Sequence, residues 1–395
     1  MTMKRFTSLL VALIVSISAW SVTYADEALT DETNVTSQTE EAVDEPKVYT
    51  LSLEDAIELA MTDNPQIIAN EYEQTAKEIN IKSAYLDKSA MKKSLKAASD
   101  YNKMSVTTMQ TLLVKEGFGV AQAEMEHRMS ILEAEQIKAS IAYNTTNAYY
   151  NVVLMDKLVN AAKNSYGLAL DNKAVVDAQY ELGLVAQMVY DNADISVDGA
   201  KSMLEAYELN REIALLNLKN ILNIDKDSEV ILTDEIESEE FESDVEADAA
   251  AALETRYDLT NAKEGMELAY LNFDISGAFT SSSAAYNTAY SSYIDAQYGY
   301  DKARDLVELS IHSAYNTILT NHSAMDIARR TYEMKLKEYD ASKLQYELGM
   351  ITNLELTDKI NALYEAQVDY AQKKLDYRMS VEKYKYDITI GLPQQ

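Results

Sequence analysis

Apolar residues recur at helical spacing through most of the chain, and two segments carry the steps of a coiled coil. In the first, steps of three and four residues run from Val197 to Ile221, with Arg211 as the one polar intruder. In the second, an apolar or tyrosine residue recurs every seven positions from Leu363 to Tyr384. A strict seven-residue repeat winds a helix left-handedly around a neighbouring helix. The pattern therefore predicts a mainly α protein built from long, paired helices.

The chain also contains an internal duplication with a shift of 166 residues. Tyr180-Glu-Leu-Gly183 recurs as Tyr346-Glu-Leu-Gly349, and further identities follow in the same register without gaps. Because glycine readily adopts the left-handed conformation that ends a helix, each motif is expected to close one helix and open the next. The result would be two tandem antiparallel helical hairpins. The predicted helices cover about 128–182, 186–223, 297–348 and 353–389.

Few residues in the chain interrupt helices. Among its 395 residues are 10 glycines and 3 prolines, and no proline lies between Pro65 and Pro393. Glycine and proline are the main breaks in compact folds, so the helices are expected to be very long.

Charge and cysteine content exclude several classes of function. The formal net charge of −30 repels phosphate backbones, so no nucleic-acid partner is expected. The chain has no cysteine and therefore forms no disulfide and no thiolate site. Its three histidines lack the spacing of a metal site, and no nucleophile–base pair can be placed. We expect no catalytic site, no metal and no cofactor.

The N-terminus predicts export. Lys4 and Arg5 precede a short apolar run, and small residues lead to a cleavage point after Ala25, as in a secretory signal peptide. Retention of this run as a membrane anchor is the alternative. The acidic segment near the middle is either a solvated linker or a small subdomain packed around the helices. The predicted parts are the signal peptide (1–25), a disordered acidic leader (26–47), a first helical repeat (48–232), the acidic linker (233–252) and a second helical repeat (253–395).

A family resemblance enters at the start of the predicted mature chain. Residues 51–56 are Leu-Ser-Leu-Glu-Asp-Ala, and Asn64-Pro65 follows before the first long helix. This opening resembles that of TolC-type outer-membrane efflux proteins, the outer membrane factors. The order of opening segment, hairpin, linker and second hairpin extends the resemblance over about residues 48–392.

The resemblance implies a homotrimer whose helices close into a tunnel in the cell envelope, at the outer membrane and in the periplasm. It implies a passive channel subunit for efflux or secretion, which works with a periplasmic adaptor and an inner-membrane transporter. The alternative is an exported coiled-coil scaffold of the envelope that conducts nothing.

Two candidate sites follow from the resemblance. Adaptor docking would occur at the hairpin tips, whose alternative is an ordinary helix connection. The second site is an acidic gate, since Glu355 and Asp358 project from one helical face and would form a ring of carboxylates in a trimer. The alternative is an acidic helix start favoured by the helix dipole. The tip residues are Gly183, Leu184, Val185 and Ala186 in the first repeat and Gly349, Met350, Ile351 and Thr352 in the second.

The family's membrane-spanning strand pairs would fall at about residues 86–127 and 273–296. Neither slot shows sustained alternation of apolar and polar residues, and both are compatible with continued helix. We therefore expect β-barrel strands to be absent or rudimentary, which leaves association with the outer membrane uncertain.

Overall fold

The computed structural model describes residues 47–98, 108–237, 240–278 and 283–393. The predicted signal peptide and nearly all of the acidic leader lie outside these residues. Nine helices and two short strands are present within the described ranges. In chain order they are β1 (Val48–Leu51), α1 (Leu53–Met61), α2 (Pro65–Ala97), α3 (Met109–Glu116), α4 (Phe118–Glu181), α5 (Gln187–Ile221), β2 (Glu229–Leu232), α6 (Val245–Thr255), α7 (Tyr257–Ser276), α8 (Ala284–Glu347) and α9 (Asn353–Asp387).

Two antiparallel hairpins dominate the fold, which confirms the predicted tandem architecture. The helices α4 and α8 each have 64 residues and are each followed by a 35-residue partner, α5 and α9. At 1.5 Å per residue, α4 and α8 are each about 96 Å long. Within each hairpin the two helices pack along one another, and α9 also packs against α4.

Both long helices begin earlier than the sequence pattern predicts. The helix α4 starts at Phe118, ten residues before the expected 128, and α8 starts at Ala284, thirteen residues before the expected 297. Most residues of the first turns of α8 are small, polar or tyrosine, and most are exposed, so they carry little apolar periodicity. The start of α8 is covered by α7, whose Phe273 ring lies 5.3 Å from the Tyr286 ring, and α3 packs against α4.

Buried tyrosine hydroxyls connect the hairpins to the segments that cross them. The Tyr149 hydroxyl donates to the Leu51 carbonyl at 3.0 Å and accepts from the Thr233 and Asp234 N–H groups at 3.1 and 3.0 Å. This ties α4 to the two-stranded parallel sheet, in which β1 pairs with β2. The Tyr377 hydroxyl likewise accepts from the Phe241 N–H at 3.0 Å.

The described residues of the acidic segment 233–252 pack against both hairpins. Ile236 is buried in the first core and Ala249 and Ala252 in the second, while most acidic side chains of the segment face solvent. Apolar residues are few and widely spaced in this segment, so its sequence pattern is dominated by acidic residues. The few apolar side chains nevertheless anchor the segment to the hairpins.

The two slots for strand pairs are helical wherever the described residues have regular structure. The first contains the end of α2, all of α3 and the start of α4, and the second contains the end of α7 and the start of α8. Residues 99–107 and 279–282 lie outside the described ranges. Within those ranges, none of the helices has the length and apolar character needed to cross a membrane.

The turn glycines give a first test of the fold. Gly183 and Gly349 have φ of +68° and +72°, and no atom lies within 4 Å of a Cβ added at either position. Replacement of either by alanine should lower the free energy of unfolding by about 1 kcal/mol, through backbone strain alone. Denaturant titration followed by circular dichroism measures this.

Gly199, within α5, is the matched control because an added Cβ there also meets no atom within 4 Å. Gly199→Ala should raise the free energy of unfolding by about 0.5–1 kcal/mol, since alanine favours helix over glycine. Equal effects at all three glycines would contradict the left-handed turns.

Candidate functional site

The first hairpin tip joins α4 to α5 through a left-handed glycine. Gly183 has a φ of +68°, and its N–H donates to the Tyr180 carbonyl at 2.9 Å. The next N–H, from Leu184, donates to the Gln179 carbonyl at 2.8 Å. Together these bonds satisfy carbonyl groups that the end of a helix leaves open. Ala186 then precedes α5 without a side-chain cap.

The second tip repeats this geometry 166 residues later. Gly349 has a φ of +72°, and its N–H donates to the Tyr346 carbonyl at 2.9 Å. The Met350 N–H donates to the Gln345 carbonyl at 2.8 Å. The duplication in the sequence is therefore preserved in the backbone of the turn.

Both tips present large apolar side chains to solvent at equivalent positions. Three such side chains occur at each tip, and each is between 63% and 74% exposed. Matched apolar exposure of this kind is typical of a surface that binds a partner protein. The equivalent pairs are Leu182 and Leu348, Leu184 and Met350, and Met188 and Leu354.

Only some of the docking residues predicted from the sequence are among these six exposed apolar side chains. Leu184 and Met350 are in both sets, whereas Val185 and Ile351 are half-buried. The other four exposed residues lie within one turn of the predicted segments. In the sequence these four residues form two pairs of apolar residues 166 positions apart, and this repeat could have identified them as part of the tips.

Glu355, one of the two predicted gate carboxylates, caps its own helix. Its carboxylate accepts from the Thr352 N–H at 2.7 Å and from the Thr352 hydroxyl at 2.9 Å. The Thr352 hydroxyl in turn accepts from the Glu355 N–H at 3.3 Å, which completes a capping box. The hydrogen bonds from the Thr352 backbone and hydroxyl hold the pKa of Glu355 below its ordinary value.

Asp358, the other predicted gate carboxylate, is exposed one turn further along α9. Among the described residues it makes no hydrogen bond and no ion pair. The two carboxylates are therefore close in sequence but differ in their bonding, since one is held at the helix start and the other faces solvent.

Acidic residues of the first tip are bonded within the hairpin. The Lys173 ammonium group of α4 lies 3.1 Å from a carboxylate oxygen of Asp194 and 4.0 Å from the centre of the Tyr190 ring. It also donates to Asp177, and this hydrogen bond is the main cause of a raised Lys173 pKa. Asp191 accepts from the Gln187 amide at 2.7 Å.

Neutral amide hydrogen bonds fix the second tip to α4. The buried Asn172 side chain donates to the Thr357 hydroxyl at 3.2 Å and accepts from the Asn353 amide. Asn353 also donates to the Tyr346 hydroxyl at 3.4 Å. The two tips are therefore held next to each other in one chain. Across the described ranges, no group of three histidine or acidic side chains is placed to hold a metal ion.

Comparison with curated proteins finds a partial relative. No known protein-family model matches the chain. Toxin and drug export protein A of Aggregatibacter actinomycetemcomitans is 25% identical over 111 residues, which are 28% of this chain. The match spans only 24% of that relative's length.

Solved structures share the fold over most of their length. The outer membrane protein VceC from Vibrio cholerae matches with a TM-score of 0.68 at 12% identity, covering 86% of this chain and 97% of that one. The outer membrane channel CmeC of Campylobacter jejuni matches with a TM-score of 0.58 at 15% identity, covering 87% of each chain. The chain therefore has the helical fold of these outer-membrane proteins, which confirms at the level of the fold the resemblance inferred from the sequence.

The pKa of Glu355 gives a test of its role at the tip. A pKa below the ordinary value of 4.5 means that Glu355 stabilises the fold above that pH, and that this contribution is lost as the pH falls through the lowered pKa. The difference in thermal midpoint between the wild type and Glu355→Ala should therefore be largest near neutral pH and shrink below about 4.5.

Asp358→Ala serves as the control, because it removes a nearby carboxylate that has no such hydrogen bonds. A ring of like charges would instead raise the pKa of Glu355. Acidification would then stabilise the wild type relative to Glu355→Ala, and this opposite sign would show that repulsion in the assembly outweighs the cap.

Proposed function

We propose that this chain is the subunit of a passive efflux or secretion conduit in the cell envelope. In this proposal it is exported and forms a homotrimer, and its helices line a tunnel between a periplasmic adaptor with its inner-membrane transporter and the cell exterior. The main support is the fold, which covers 97% of the VceC chain. In this proposal the energy for transport is supplied by the transporter.

An uncovered apolar seam on α5 supports lateral assembly. One side of α5 is buried within its own hairpin, at Ala214 and Leu218. Another side carries Leu209, Ile213 and Leu216, spaced by four and three residues and exposed by 61%, 64% and 40%. This is the spacing with which a helix packs against a neighbour. A second copy of the chain beside α5 would cover the seam, as closure of a helical ring requires.

The hairpin tips are the proposed docking points for the adaptor. Their matched apolar side chains occupy the two turns of one chain, which α4 and α9 hold together. In a trimer the tips would repeat around the axis and form a crown of apolar projections. A partner with apolar grooves would gain about 1.5–3 kcal/mol for each large side chain that it covers fully.

The proposed gate lies beside these tips on the second hairpin. Asp358 is its free carboxylate, and Glu355 contributes negative charge while it caps α9. A ring of such groups around the tunnel axis would attract cations and repel anions. In the first hairpin, Asp194 is paired with Lys173, so the negative charge of the gate would come mainly from the second hairpin.

Substitution of the seam tests assembly. The double variant Leu209→Asp, Ile213→Asp should remain helical, because both side chains are exposed within one copy. It should not assemble, because a carboxylate would replace each apolar side chain in the contact. Light scattering and negative-stain imaging should show a hollow trimer for the wild type and a monomer for the variant. A monomeric wild type would contradict the conduit and favour the envelope scaffold.

Substitution of the tips tests docking separately from assembly. The double variant Leu184→Asp, Met350→Asp should leave stability within about 0.5 kcal/mol, because both side chains face solvent. It should still form trimers. In the native host, a strain that lacks the gene should be tested first for compounds or proteins that it no longer exports. The aspartate variant should fail to restore that export.

The matched control for the tips is Leu184→Met, Met350→Leu, which keeps an apolar surface of similar volume. It should restore export as the wild type does. Full restoration by the aspartate variant would show that the tips do not carry the docking contact.

A further inference from the structure

A groove lies between the two hairpins, some distance from the tips. It has a volume of about 450 Å³ and is lined by residues of α4, α8 and α9. Its α4 residues lie between Ala161 and Asp171, which places the groove about 18–33 Å along the helix from Gly183. The lining includes none of the residues predicted for docking or for the gate. The groove is therefore separate from both of those sites.

The floor of the groove is apolar and belongs to α9. Ile360, Leu363 and Tyr364 line it and are buried. Because α9 packs against both α4 and α8, these two helices form the walls. Leu168 of α4 and Leu336 of α8 line the walls and are more accessible than the floor. A cavity of this size can hold an organic molecule of drug size, for which pockets are typically ~300–1,000 Å³.

Aromatic side chains line the α8 wall. Tyr332 and Tyr339 are both half-buried and lie about two helical turns apart, so they fall on the same side of α8. The Tyr332 ring is stacked on the Tyr370 ring of α9, with 6.1 Å between the ring centres and 13° between the ring planes. This stacking fixes part of the aromatic wall before any ligand arrives. A flat apolar molecule would contact tyrosine rings on one side and Leu168 of α4 on the other.

The two ends of the groove carry opposite charges on α4. Lys163 and Asp171 both line it and are eight residues apart, which is about 12 Å along the helix. Tyr339 lies at the Asp171 end, because that carboxylate is close enough to affect the tyrosine hydroxyl. Within the described residues, neither Lys163 nor Asp171 makes a hydrogen bond or an ion pair. Either charge is therefore free to meet a ligand.

The charges that act on Tyr339 are all negative. Burial raises the pKa of Tyr339, and the carboxylates of Asp340, Asp171 and Glu347 raise it further. Asp340 and Glu347 are exposed, and across the described ranges neither of them makes an ion pair. Three uncompensated carboxylates therefore lie near one tyrosine hydroxyl. A positive charge would be attracted to this end of the groove, and a negative charge would be repelled.

We propose that this groove binds a small amphipathic organic cation, whose flat apolar body lies along Tyr332 and Tyr339 and whose charge lies beside Asp171. The faces of tyrosine rings attract cations as well as apolar surface. A neutral molecule would gain nothing from the carboxylates, and an anion would be repelled by them. The ligand would contact both hairpins of one chain. Its binding therefore does not depend on the proposed conduit or on the trimer.

Filling the groove tests its position. Gly167 lines it, and a Cβ added there meets no atom within 4 Å, so Gly167→Leu should fold and place its side chain in the groove. The probe is ethidium, a flat aromatic cation whose fluorescence rises when it leaves water. Titration of the full chain at ~0.15 M salt should show saturable binding, which Gly167→Leu weakens by about tenfold or more. Gly199→Leu is the matched control, because an added Cβ at Gly199 also meets no atom within 4 Å and α5 does not line the groove.

Removal of one carboxylate tests the choice of ligand. Asp171→Asn should weaken ethidium binding roughly threefold to fivefold, because a charge beside the bound cation is lost. Asp198→Asn removes the same charge at an exposed position of α5 and should leave binding unchanged. The aromatic anion anilinonaphthalene sulfonate should bind more weakly than ethidium, and Asp171→Asn should strengthen its binding. Circular dichroism should show that all four variants stay folded.

Three outcomes would overturn the proposal. Absence of saturable ethidium binding would mean that the groove takes no such cation. Equal binding by the wild type and a folded Gly167→Leu chain would place the dye elsewhere on the acidic surface. Tighter binding of the anion, with no response of either dye to Asp171→Asn, would mean that the groove recognises apolar shape and not charge. None of these outcomes bears on trimer formation or on docking at the tips.

Discussion

Lateral packing of α4 is the interaction on which the rest of the structure depends. A helix of 64 residues has no compact core of its own and becomes stable only where neighbours cover its apolar positions. Here α4 is covered by α5 on one side and by α9 on the other, so it belongs to both hairpins. Apolar positions on the far side of α5, such as Ile213, stay exposed in one copy of the chain. These are the positions that the proposed assembly would cover.

Buried tyrosines attach the crossing segments of the chain to the helical hairpins. The Tyr149 and Tyr384 rings are fully buried, while their hydroxyls reach the crossing chain. Burial is the main cause that raises the pKa of both hydroxyls, so they stay protonated at ordinary pH. Tyr149 lies at the middle of α4, whereas Tyr384 lies in the last turn of α9. Neither anchor involves the exposed apolar side chains of the tips, which remain available for other contacts.

The sequence predicted those features that one helix determines locally. Seven-residue spacing indicated paired helices, and the repeated Tyr-Glu-Leu-Gly motif located both tips, because a left-handed glycine is needed where a helix reverses. Features that depend on neighbours were less predictable. The early start of α8 depends on α7, and the anchoring of the acidic segment depends on Ile236 among many acids. For Glu355 the sequence predicted either a gate or an acidic helix start favoured by the helix dipole, and it did not predict the capping box that Glu355 forms with Thr352.

The two tips have the same backbone conformation but differ in their charged side chains. The two hairpins of the duplication therefore differ in their electrostatic contacts. Lys173 pairs with Asp194 across the first hairpin, whereas the equivalent position of Lys173 in the second repeat is Tyr339. Asp194 of the first hairpin is thus bonded internally, and the second hairpin exposes Asp358. Attachment of the second tip to α4 uses Asn172, Asn353 and Thr357, which carry no charge. Salt would therefore screen the charge of Asp358 on α9 while the uncharged amide contacts to α4 persist, so the electrostatics of the second tip can change without release of the hairpin.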